Sequence, residues 1–135
     1  MELRYAQSEK FDLTATYTYL DATQPDFNGS DVTEVRRPEH TGSLTMNYRW
    51  SQAGLNFAIS YTGTQEDDFF PPFPPYQERV QLKAFTLASL SGYYNVNQLV
   101  TVTARIENIT DEDYEQVYGF TSPGIGGYLG FRLKW

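Results

Sequence analysis

Carboxylates and aromatic rings are the side chains in this sequence with the most chemistry to offer. Two acidic triplets stand out, Glu66-Asp67-Asp68 and Asp111-Glu112-Asp113. Clustered oxygens of this kind are what a hard cation such as calcium requires. Neither triplet carries the glycine and closing glutamate of an EF-hand loop. Solvated acidic loops are therefore the first reading, and a calcium site the second. The first triplet runs into Phe69-Phe70-Pro71-Pro72-Phe73-Pro74-Pro75-Tyr76. Proline fixes φ and stiffens such a segment, and Phe69, Phe70, Phe73 and Tyr76 offer flat faces for stacking. A ligand- or surface-contacting loop is the functional reading. A stiff loop packed over its neighbours, or at a membrane interface, is the plainer one.

Nothing in the pattern points to catalysis. His40 is the one histidine and follows Arg37-Pro38-Glu39 where a strand begins, so a structural or interface role is expected. No nucleophile motif is read, and Gly124-Ile125-Gly126-Gly127 leads into a strand, with no helix to hold a phosphate. Zero cysteines exclude disulfides and thiolate metal ligands. Neither a catalytic residue, a metal nor a cofactor is expected. The net charge of −7 and the scattered basic residues, with Arg36-Arg37 the only adjacent pair, exclude nucleic acid as a partner.

These 135 residues make at most one ordinary domain. Hydrophobic residues are 40% and mean hydropathy is −0.52. No run approaches the roughly 18 apolar residues of a transmembrane helix. A membrane β-strand evades that test, because only every second residue is apolar. Aromatics at 16% suit the girdles of a barrel, and equally a lectin-like sandwich. After Met1 there is no apolar leader segment, so an exported protein of this sequence is expected to be a mature chain or a fragment.

The elements that must position these residues are strands. Residues 2–6 read as the end of one, and 7–10 as a polar turn. Phe11, Leu13, Ala15, Tyr17 and Tyr19 alternate with Asp12, Thr14, Thr16 and Thr18, a period-2 run. Further strands are predicted over 41–50, 55–62, 82–95, 100–107 and 128–135, the last placing Leu129, Phe131, Leu133 and Trp135 on one face. Tight turns are read at 51–54 and 95–98, and long polar connections over 21–39, 63–81 and 108–126. Asp12, Arg49, Lys83, Arg105, Glu107, Arg132 and Lys134 all oppose the apolar set of their own strand. Arg49, Arg105, Glu107, Arg132 and Lys134 are thus expected to face a polar lumen, where they pair across strands or meet a partner.

Alternation alone fits any half-buried antiparallel sheet. The connections, however, run short, long, short, long, short, long, as the turns and loops of an outer-membrane barrel do. Strands of about ten residues are long enough to cross a membrane when tilted. The expected fold is all-β: an antiparallel meander of about six to seven strands, the last strands of a larger transmembrane barrel. Complete bacterial barrels have even strand numbers, and the odd count predicts a chain that begins partway round. The rhythm also puts Trp135 on the short-turn, periplasmic side.

Arg105-Ile-Glu-Asn-Ile-Thr-Asp-Glu-Asp-Tyr114, then Gly119-Phe120 and Pro123-Gly124, resembles the C-terminal signature of TonB-dependent outer-membrane receptors, in particular at Asn108, Asp111, Tyr114, Gly119, Pro123 and Gly124. Thr16–Ala22 and Arg36–His40 are also similar in order and spacing. Ile125 stands where the family frequently has arginine. Tyr128, Gly130, Leu133 and Trp135 are similar to the signal read by the barrel-assembly machinery. Gly130 would let another backbone approach, and an open strand edge is a template for strand addition.

The resemblance implies energised uptake of a bulky nutrient such as an iron-siderophore or cobalamin, in the outer membrane of a Gram-negative cell. The implied partners are outer-membrane lipid, the barrel-assembly machinery and the rest of the receptor, with its plug and earlier strands. TonB would be reached only through an N-terminal part not in this sequence, so this stretch alone is not expected to transport. A complete small outer-membrane barrel of structural or adhesive role, and a soluble β-sandwich binding module, are the alternatives.

Overall fold

Where apolar and polar residues alternate and β-branched and aromatic side chains are frequent, this chain forms strands. A computed structural model describes residues 1–26 and 28–135, and of residues 6 and 7 the backbone. The order is β1 (Glu2–Ser8), β2 (Phe11–Tyr19), a short hairpin of β3 (Thr23–Pro25) and β4 (Asp31–Thr33), then β5 (His40–Arg49) and β6 (Ala53–Thr62). A second hairpin follows, β7 (Gln65–Phe69) and β8 (Glu78–Leu82), then β9 (Phe85–Asn95) and β10 (Val100–Glu107). A third hairpin, β11 (Glu115–Val117) and β12 (Phe120–Thr121), precedes β13 (Gly126–Leu133). The long strands form one seven-stranded antiparallel meander, β1-β2-β5-β6-β9-β10-β13. The hairpins lie within the three long connections.

Side chains close the tight turns. Ser8 Oγ accepts the backbone N–H groups of Lys10 (3.2 Å) and Phe11 (3.3 Å), and Asn97 Oδ1 accepts those of Leu99 and Val100, both at 2.8 Å. Between β5 and β6 the Trp50 N–H reaches the Ala53 carbonyl at 2.7 Å. All short turns lie at one end of the sheet and all long connections at the other.

Register carries one apolar face across the whole sheet. Leu13 pairs with Met46, Met46 with Phe57, Phe57 with Leu90, Leu90 with Ile106, and Ala104 with Leu129. Among paired residues that face holds no Asp, Glu, Lys or Arg. Aromatic side chains gather at its two ends, Tyr17, Tyr19 and Tyr61 toward the long connections and Phe11, Tyr48 and Tyr94 toward the turns. His40 sits on this face at the long-connection end, 2.8 Å from the Tyr17 hydroxyl and packed against both Tyr17 and Tyr19. The opposite face is a carpet of small hydroxyl and amide side chains, with Thr16 and Ser43 hydrogen-bonded at 2.6 Å. Gly54 belongs to it because the Tyr93 ring occupies the space a Cβ would need.

The sheet is a single layer. Leu82 (4% exposed) and Phe85 (6%) are the only buried apolar residues among the described ones, and both lie at the long-connection end. Leu129, Phe131 and Leu133 stay exposed, each at a cost of roughly 1.5–3 kcal/mol in water relative to burial. A sandwich needs a second sheet over its apolar face, and none is present among the described residues. That overturns the sandwich alternative. Among the described residues no helix is long and apolar enough to cross a membrane, which says nothing of strands.

Three strand expectations need correction. The run read as one strand over 82–95 breaks at Lys83-Ala84, so Lys83 lies outside the long sheet and is not one of its polar-face charges. The stub at 2–6 is a full strand through Ser8. The three connections read as loops carry hairpins, of which β3, β4, β11 and β12 are too brief to show a period in sequence.

Candidate functional site

β7 alternates Gln65, Asp67 and Phe69 against Glu66 and Asp68. Gln65 and Asp67 turn inward among the long connections. Asp67 is 1% exposed, which overturns the reading of this triplet as a solvated loop. Its Oδ1 accepts Arg36 Nε from the first connection at 2.9 Å and its own neighbour's N–H, Asp68, at 2.9 Å. Its Oδ2 accepts the Tyr118 N–H of the third connection at 2.8 Å. One carboxylate thus meets all three connections. Burial pushes its pKa up, but the bonds from Tyr118, Arg36 and Asp68 outweigh that and hold it below the usual carboxylate value.

Other bonds run the same way. Arg36, in a left-handed backbone conformation (φ 57°), donates its own N–H to the Glu66 carbonyl at 2.7 Å. Gln65 Nε2 reaches the Gln116 carbonyl at 3.2 Å. Arg79 on β8 pairs with Asp68 at 3.3 Å and donates to the Thr33 carbonyl at 3.0 Å. Of the four stacking candidates, Phe69 packs against Tyr118 with ring centroids 5.1 Å apart, whereas Phe70, Phe73 and Tyr76 are exposed at the hairpin tip.

The stretch from Asn108 to Gly124 is a clamp. Asn108 is 6% exposed, and its Nδ2 donates to the carbonyls of Glu112 (3.0 Å) and Pro123 (3.3 Å) while Oδ1 accepts the Glu112 N–H at 2.9 Å. Asp111 Oδ1 accepts the Ile125 N–H at 2.8 Å, and a Cβ on Gly124 would stand 2.6 Å from that same oxygen. Tyr114 stacks on Phe85 at 4.6 Å, and Gly119 takes a positive φ of 78° in the β11–β12 turn. Asn108, Asp111, Pro123 and Gly124 thus tie the two ends of the third connection to each other, and Tyr114 packs that connection onto the sheet at Phe85. Asp111 Oδ1 serves a backbone bond. Among the described residues no three His, Asp or Glu side chains converge on a metal position.

On the polar face, Arg49 is paired with Asp12, whose other oxygen accepts Asn47 Nδ2 at 2.8 Å, and Asn56 continues the chain to Asn47 at 2.7 Å. Arg105 pairs with Glu107 along its own strand at 3.2 Å and lies over the Tyr128 ring at 4.6 Å. Arg132 pairs with no carboxylate among the described residues. Between this face and the third connection lies a cavity of about 560 Å³, lined in part by Ser43, Thr45, Ser60, Ser89, Glu107 and Tyr128. Its size is that of a ligand pocket.

The closing residues divide between the faces. Tyr128 and Gly130 lie on the polar face, where a Cβ on Gly130 would meet Thr103 Oγ1 at 2.7 Å. Leu133 lies on the apolar face opposite Val100. Trp135 is fully exposed beyond the last paired residue, and the outer edge of β13 has no partner strand. Sequence reasoning missed the Arg36–Asp67–Tyr118 cluster. Its one sequence signal was the complementary charge of Asp68 and Arg79, which pair across the β7–β8 hairpin once the Pro-rich tip is counted as its loop.

A family model for the TonB dependent receptor-like β-barrel matches residues 1–109. Among solved structures, the ferripyoverdine receptor of the outer membrane of Pseudomonas aeruginosa, bound to ferripyoverdine, superposes with a TM-score of 0.77 at 16% identity over 98% of this chain and 18% of its own. The siderophore receptor PiuA of Acinetobacter baumannii gives 0.74 at 18% identity, over 99% of this chain and 21% of that one. The ferric-catecholate import receptor Fiu of E. coli gives 0.73 at 18%, over 94% and 19%. The chain spans about a fifth of the length of these receptors, and at such identities the likeness shows the fold.

Proposed function

This chain belongs to the TonB-dependent receptor β-barrel family, and from that premise we propose that it supplies strands to an outer-membrane receptor importing a bulky nutrient of the ferric-siderophore or cobalamin kind. The observation that carries the reading is the single-layer sheet whose one face, across seven strands, is free of charge. A lipid-facing Arg or Lys near the bilayer midplane costs roughly 2–4 kcal/mol, so a face this clean is what lipid exposure demands. The ten-residue strands β5 and β6 support it. At about 3.3 Å per residue and ~45° tilt they rise roughly 23 Å, against an apolar band of about 25 Å.

On this reading the long connections face outward from the cell, and Trp135 ends on the periplasmic side. The polar face, with Arg49, Arg105, Glu107 and Arg132, lines the lumen and meets a plug. The rest of the barrel, the plug and the TonB-contacting segment belong to the remainder of the receptor. The work is transport, not catalysis. Strand direction favours this over a complete small barrel: β1 and β13, the two edges, run the same way in an antiparallel meander of seven. Joining them would make a parallel seam, and an antiparallel barrel needs an odd number of further strands.

The test is uptake. Cells carrying or lacking the receptor, each with and without TonB, are offered labelled ferric hydroxamates, ferric catecholates and cobalamin. Receptor- and TonB-dependent accumulation of at least one class is expected. Equal accumulation in all four strains across the panel would contradict the reading.

A further inference from the structure

The hydrogen bonds and ion pairs among the described residues join the first connection to the second and the second to the third, but none joins the first directly to the third. Arg36 and Arg79 bind β7–β8 to the first connection, and Gln65, Asp67 and Phe69 bind it to the third. Asp67 is the residue whose single side chain accepts from both. We propose that Asp67 is a latch that makes the three long connections one body, so that displacing any one of them displaces the other two.

The physical ground is the cost of a half-served buried carboxylate. A buried charge that loses a hydrogen-bond donor suffers more than the bond it lost. If the first connection swings away it takes Arg36 with it. Asp67 then has only the backbone N–H donors of Asp68 and Tyr118 left. If the third connection leaves, Oδ2 has nothing among the described residues. Intermediate arrangements are therefore worse than either fully latched or fully open, and the connections move together. The nearby charges reinforce the latch without replacing it: Arg79 is engaged by Asp68, Arg37 by Glu34 at 3.6 Å, and Glu115 Oε2 accepts the Gly119 N–H at 3.4 Å.

The consequence for uptake, that contact with one connection closes or opens all three over the lumen, rests on the transport reading. The latch does not, and it is measured without any ligand. The chain has no cysteine, so Asp31→Cys and Phe120→Cys place spin labels on the first and third connections alone. In the membrane-inserted receptor the label pair should give one narrow distance. Asp67→Asn and Asp67→Ala should abolish that single distance although neither label touches the second connection. Glu66→Gln, whose side chain meets only Gln81, should preserve it. A distance that stays single in both Asp67 variants, or is lost equally in Glu66→Gln, overturns the latch. The unsubstituted side chain gives a second reading, taken over the pH range in which the receptor stays folded. As pH falls the single distance should survive the ordinary aspartate range near ~3.9 and disappear only below it. Loss above that range overturns the assignment.

Discussion

Asp67 and Asn108 do at the level of single side chains what a hydrophobic core does in a water-soluble domain. Each is buried; Asp67 satisfies groups from two segments distant in sequence, and Asn108 joins the two ends of its own connection. Asn108→Ala leaves one backbone N–H and two carbonyls without that partner. Unsatisfied buried groups cost roughly 1–3 kcal/mol, so we expect a loss of that size, read as a shift in the denaturant midpoint of the folded receptor. Asp67 carries a pH signature. Its folded pKa lies below the unfolded value, so its contribution is fully present above the unfolded pKa and is lost as pH falls through the folded one. Stability of the parent should drop on acidification below the usual carboxylate range, and the Asp67→Asn variant should start lower and drop less. Equal acid limbs for the two proteins would contradict this. Neither role was legible from residue type, since an acidic triplet before a proline-rich run reads as solvent-exposed. Only the pairing of β7 with β8 turns Asp67 inward. The clamp residues Asn108, Asp111 and Gly124 stood out in the sequence through a resemblance alone, and their bonds were not legible there.

At the scale of elements, the long strands follow from alternation and the hairpins do not. β2 and β10 fall where period-2 runs of aromatic and β-branched residues predict them, over 11–19 and 100–107. β3, β4, β11 and β12 are two or three residues long, and that is too short for any period. Long-range bonds such as Gln65 to Gln116 hold the hairpins, and no local propensity announces these. Alternation makes a sharp prediction about adjacent residues on β6. Phe57 and Ala58 pair with Met46 and Thr45 on opposite faces of the sheet. Phe57→Arg should cost roughly 2–4 kcal/mol of folding stability in vesicles, whereas Ala58→Arg, pointing to the polar side, should cost far less. A guanidinium titration of both variants decides it; equal losses would mean that the two faces see the same solvent.

For the whole molecule, the rhythm of short turns and long connections was the most informative feature of the sequence, because it sets the two ends of the sheet apart. It could not show that the long ends lock together through one carboxylate. On our reading β13 is the closing strand, with Leu133 and Trp135 toward lipid. Leu133→Asp and Trp135→Asp should each reduce the amount of receptor inserted in the outer membrane, measured by fractionation; unchanged insertion would remove β13 from that role. The central claim is that the uncharged face meets lipid and the hydroxyl-rich face meets water. Single cysteines bearing a fluorophore at Met46, Phe57 and Leu90, and at their neighbours Thr45, Ala58 and Ser89, test it in reconstituted receptor. The account predicts that spin-labelled lipid quenches the first three and aqueous iodide the second three. Iodide quenching of all six, with no effect of the lipid quencher, would contradict it.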